Sequence, residues 1–139
     1  MKEQSNKHNW DEPLRKLLVD EIELDMNKLV CVLKCYIGIY SKDGLLILHS
    51  KFNELNARNK ILTYLLGRKV STMMKFEYPE IVDILEIKKT TGILRGVLMP
   101  ICVELKTENL ISGSGTSGYY VSESQMLHVL KELEYTCHS

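Results

Sequence analysis

VCVLKCYIGIYSKDGLLILHS, residues 30–50, is the most apolar stretch of the chain and reads as two strands joined at Asp43-Gly44. An Asp-Gly pair between strand-like runs is a strong hairpin signal, because Gly44 takes the positive φ of a tight turn and Asp43 tolerates it. In the first run Cys31, Leu33, Cys35, Ile37 and Ile39 share one face, and Val30, Val32, Lys34, Tyr36, Gly38 and Tyr40 share the other. Apolar side chains on both faces predict a central strand with a layer on either side. Residues 45–48 are apolar on both faces as well, so helices must cover the hairpin.

Working outward, residues 1–10 form a polar arm, and Asp11 and Pro13 mark a helix start. Leu14, Leu17, Leu18, Ile22, Met26 and Leu29 recur at helical spacing, which predicts an amphipathic helix over about 12–29. A second helix is predicted over 53–76, with Leu55, Leu62, Leu66 and Met73 in one stripe, continuing past Gly67. Tyr78-Pro79 breaks it. Residues 81–89 and 93–99, separated by Thr90-Thr91-Gly92, read as a second hairpin, and Ile101, Val103 and Leu105 alternate as a further strand after Pro100. SGSGTSG, residues 112–118, reads as a flexible loop. Ser122 and Gln125 then make a capping box, with Val121 and Met126 as the matching staple, for a last helix carrying Leu127, Leu130 and Leu133.

The expected class is therefore α+β. A mainly antiparallel sheet of about five strands would be covered by three helices, in the order α-β-β-α-β-β-β-α. At 139 residues, the stretch 11–139 is expected to be a single domain. Net charge is zero, from 18 basic and 18 acidic residues, which disfavours nucleic acid and anionic membrane as partners. The polar N-terminus and the lack of a run of about 20 apolar residues point to a cytoplasmic protein without a membrane span. Cys31, Cys35, Cys102 and Cys137 are then expected as reduced thiols.

Three chemistries can be weighed on the residues. Asp83-Ile-Leu-Glu86-Ile-Lys88 resembles the metal-binding strand of the PD-(D/E)xK nucleases, where carboxylates hold a divalent ion beside a lysine. On a strand Glu86 and Lys88 share a face, but Asp83 points the other way and Glu80 lies about 20 Å from Glu86, so Asp43 would have to converge from the first hairpin. Charged residues at a solvated strand end are the simpler account, and an enzyme is the alternative reading. Cys31 and Cys35 would sit about 13 Å apart on a strand, too far for one metal ion or a disulfide. No metal site, cofactor or small-molecule site is expected. The last helix exposes Glu123, His128, Lys131, Glu132 and Glu134, a set that repels phosphates. That leaves Arg58, Lys60, Arg68 and Lys69 on the second helix as candidates for a basic stripe.

The segment IYSKDGLLILHS (residues 39–50), between an amphipathic helix and a long one, resembles the roadblock/LC7 family of profilin-like or longin-like domains. The resemblance implies a non-enzymatic homodimer or heterodimer that docks or regulates a small GTPase or a larger complex. It also implies a partner surface on the long helix and a sheet edge, which on this chain means Leu55, Leu62, Leu66, Met73, Ile81 and Asp83. An interaction or scaffold module with a protein partner is thus the function expected from the sequence.

Overall fold

A computed structural model describes residues 24–77 and 79–137. The 12–23 part of the first predicted helix and the polar arm lie outside them. The elements run α1 (Met26–Leu33), β1 (Ile37–Ile39), β2 (Leu46–Leu48), a 3-10 turn (Ser50–Glu54), α2 (Ala57–Met73), α3 (Ile84–Thr91), α4 (Arg95–Thr107), β3 (Ser112–Ser114), β4 (Gly118–Tyr120), a second 3-10 turn (Glu123–Gln125) and α5 (Met126–Cys137). The chain is mainly helical, with two separate two-stranded antiparallel sheets, β1–β2 and β3–β4.

This overturns the α+β class, the single sheet of about five strands and the predicted element order. The roadblock/LC7 resemblance falls with them, as does the dimeric scaffold architecture it implied, because that fold needs one mixed sheet flanked by helices. The largest error is residues 81–105. Asp83 caps α3, its carboxylate accepting the Glu86 N–H at 2.8 Å. Ile84, Ile87 and Thr91 then fall at helical spacing and are buried, while Leu85, Lys88 and Lys89 face out. In α4 the buried residues are Leu98, Cys102 and Leu105, a helical period that outweighs the alternation of Ile101, Val103 and Leu105. Pro100 is tolerated on the exposed side of α4, where it removes one intrahelical bond. Residues 30–33, expected as strand, belong to α1, which Asp25 caps through the N–H groups of Asn27 and Lys28.

The Asp-Gly hairpin itself is present, with Ile37 opposite Leu48 and Ile39 opposite Leu46. Gly44 has φ +81°, and the Asp43 carboxylate accepts the Leu45 N–H at 3.0 Å. The hairpin lies on α2, where Ser71 donates to the Gly44 carbonyl at 2.8 Å and a methyl added at Gly67 would meet Ile37 and Leu46 side chains. Helix α2 does continue past Gly67. It is the centre of the molecule: α3, α4, α5 and both hairpins pack on it, so every residue from Ile61 to Arg68 is buried. A helix enclosed on all sides needs no amphipathic stripe.

Candidate nucleic-acid interface

Residues 82–120 form one continuous device. Val82 exchanges backbone hydrogen bonds with Tyr119, both at 2.8 Å, so a single strand position fixes the start of α3 to β4. α3 ends at Gly92, whose φ of +76° turns the chain while its N–H donates to the Lys88 carbonyl at 2.9 Å. Gly92, Ile93 and Leu94 are the whole connection to α4. Ile93 is buried, and its N–H donates to the Thr91 hydroxyl at 3.3 Å, so the turn is anchored rather than free. α4 ends at Thr107, Asn109 turns the chain with φ +62°, and the buried Leu110 and Ile111 lead into the β3–β4 hairpin.

Two helices joined by a three-residue turn containing glycine have the connectivity of a helix–turn–helix. Here a long helix and a strand position precede the pair and an antiparallel hairpin follows it, pairing back to that strand position. This is the connectivity of a helix–turn–helix with a wing. The hairpin lies beside α4: Lys106 Nζ donates to the Gly113 carbonyl at 2.5 Å, and a methyl built on Gly115 would meet the Met99 side chain. Its tip is small and hydroxylated, with the Ser114 hydroxyl 2.8 Å from Ser117 and 3.1 Å from Thr116.

Side-chain clasps hold the device in position. Gln125, 3% exposed, accepts from the Ser112 hydroxyl and the Ser122 N–H at 3.0 Å and donates to Asn109 at 3.1 Å, joining the end of α4, β3 and the start of α5. Arg68, 1% exposed, pairs with Glu86 of α3, donates to the Tyr64 hydroxyl at 3.0 Å and reaches the Pro79 carbonyl. Arg58 meets Glu108 at 2.6 Å, Glu132 at 2.5 Å and Glu104 at 3.3 Å. The Arg58 hydrogen bond holds the Glu108 carboxyl below its ordinary value, and Glu108 with Glu132 raises the Arg58 guanidinium. Cys102, on the inner face of α4, is buried, and desolvation pushes its thiol up to about 11.

The expected site residues are scattered by this fold. Glu86 and Lys88 lie two positions apart on a helix, where side chains do not face one another, and Glu86 is engaged by Arg68 and the Tyr64 hydroxyl. Asp43 supports its own turn. Among the described residues no group of three or more His, Cys, Asp or Glu is placed to hold a metal ion. Leu55, Leu62 and Leu66 are buried in the core, whereas Met73, Ile81 and Asp83 are exposed. Of the four candidates for a basic stripe on the second helix, Arg68 is buried, Arg58 faces three carboxylates, Lys69 lies 3.4 Å from Glu80 and Lys60 is half-buried. The cations that do line the helix–turn–helix corner are Lys88, Lys89 and Arg95, all exposed and without an ion pair among the described residues. The signal for this corner was the capping pattern Asp83-x-x-Glu86 followed by Gly92, which marks a short helix with both ends defined.

Among the described residues no helix is long and apolar enough to cross a membrane, and Cys31, Cys35 and Cys102 are free thiols. Compared with protein-family profiles, with curated proteins and with solved structures, the chain matches none.

Proposed function

We propose that this chain binds double-stranded DNA, with α4 as the helix that enters the major groove and the β3–β4 hairpin as the flanking contact. The observation that carries it is the connectivity of residues 82–120, in which a helix–turn–helix is followed by a hairpin that pairs back to the strand position before it. In such an arrangement the second helix reads the groove while the first crosses the backbone. Lys88 and Lys89 at the end of α3 and Arg95 at the start of α4 suit phosphate contacts on either side of the turn. Glu104 on the groove helix and Glu108 at its C-terminal cap already face Arg58.

The test is a fluorescence-anisotropy titration of a mixed-sequence duplex of about two helical turns across a salt series. Three phosphate contacts give a slope of log K against log salt of about −2.7. Replacing Lys88, Lys89 and Arg95 together by alanine is expected to flatten that slope. A wild-type protein with no salt-dependent duplex binding overturns the proposal.

A second reading, the non-enzymatic protein-interaction module, is favoured by Leu85 in the first turn of α3 and Leu94 at the cap of α4, 72% and 70% exposed. It expects association that resists salt and is lost in a Leu85→Ser, Leu94→Ser variant, measured by light scattering with a dilution series.

A further inference from the structure

We infer that α4 reads thymine C5-methyl groups, so that the protein prefers A·T-rich major grooves without bidentate hydrogen bonds to base edges; this rests on the DNA-binding proposal. With Leu98, Cys102 and Leu105 turned into the core, the opposite side of α4 carries Gly96, Pro100, Val103 and Thr107. All four are exposed, and none offers the forked donors or acceptors that distinguish guanine or adenine. The Thr107 hydroxyl donates to the Val103 carbonyl at 2.9 Å, which commits its proton within the helix. Gly96 has open space where a side chain would stand, so the helix can approach closely. Val103, 55% exposed, is the best-placed apolar group on that face. In the major groove the base feature that such a face can select is the methyl group of thymine. Charge supports the same occupant: the four face residues are uncharged, the neighbouring Glu104 and Glu108 carboxylates are held by Arg58, and Lys88, Lys89 and Arg95 lie at the N-terminal end of α4.

The experiment uses the full chain and four duplexes of equal length, read by anisotropy at one salt concentration. They are an A·T-rich duplex, the same duplex with uracil for thymine, a G·C duplex, and that duplex with 5-methylcytosine for cytosine. The thymine duplex is expected to bind about four- to fifteen-fold more tightly than the uracil duplex, the ratio that one or two buried methyl groups supply. Methylating cytosine restores the groove methyl without A·T pairing and is expected to tighten G·C binding in the same sense. Val103→Ser is expected to shrink both ratios while leaving the salt slope unchanged. Equal affinity for the thymine and uracil duplexes, with binding intact, overturns methyl reading alone. Failure to bind any duplex overturns the DNA-binding proposal and this inference together.

Discussion

Arg68 shows how far a residue's setting can depart from its type. Charged side chains are rarely enclosed without a partner, and here the guanidinium is met by Glu86, the Tyr64 hydroxyl and the Pro79 carbonyl. The sequence places Arg68 among basic residues on a helix, and nothing in its neighbours along the chain shows that α3 and residues 79–82 close over it. Burial of this kind is decided by tertiary contacts. Removing the carboxylate while keeping the cation is therefore expected to cost more than removing both. Glu86→Ala should destabilise by about 2 kcal/mol, below the ~3–5 kcal/mol of a fully buried pair because Glu86 retains contact with water. The double variant Arg68→Met, Glu86→Leu should recover most of that loss. Urea unfolding measures both; a Glu86→Ala protein as stable as wild type would mean that the pair contributes nothing.

At the scale of elements, what was legible depended on whether a local signal had a competitor. The Asp43-Gly44 turn, the capping box at Ser122 and Gln125 and the continuation of α2 past Gly67 are all present. Residues 81–105 read as strands because ILEI is too short an apolar run to declare its period, and because the Ile101, Val103, Leu105 alternation satisfies period 2. A short segment of β-branched and aliphatic residues takes the structure its neighbours enforce. Pro100 reinforced the error, since it usually marks a break, yet on an exposed helix face its cost is bearable. Gly92 is the better discriminator, because a left-handed glycine eight residues after Ile84 ends a helix. A methyl added there meets nothing within 4 Å, so backbone strain alone sets the cost of substitution. Gly92→Ala is expected to destabilise by about 1 kcal/mol and Gly92→Asn by less, because asparagine tolerates the left-handed region better. Thermal unfolding of the two variants orders them; an alanine variant no worse than the asparagine one would mean that the turn relaxes.

For the whole molecule, a formal charge of zero conceals an uneven distribution. Four carboxylates serve Arg58 and Arg68, Glu134 meets Lys28 at 2.9 Å and Glu80 meets Lys69, while the cations of the helix–turn–helix corner keep no carboxylate of their own among the described residues. Composition alone disfavoured nucleic acid for this reason, and the three-dimensional pairing is what reopens it. The Arg58 cluster also joins α2, α4 and α5 at one point, so its state bears on how α4 is held. Glu108 is the member whose titration responds: its carboxyl binds a proton less readily folded than unfolded, where its ordinary value is 4.5. A lowered folded value means that the stabilisation is present above the ordinary value and is lost as pH falls through the lowered one. Glu108→Gln removes that contribution at every pH. The melting temperatures of wild type and Glu108→Gln should thus differ most near neutrality, and the gap should close as pH falls below the ordinary value of 4.5. A gap that persisted undiminished at pH 3 would assign the effect to packing of the side chain rather than to its charge, and would leave Arg58 held by Glu104 and Glu132 alone.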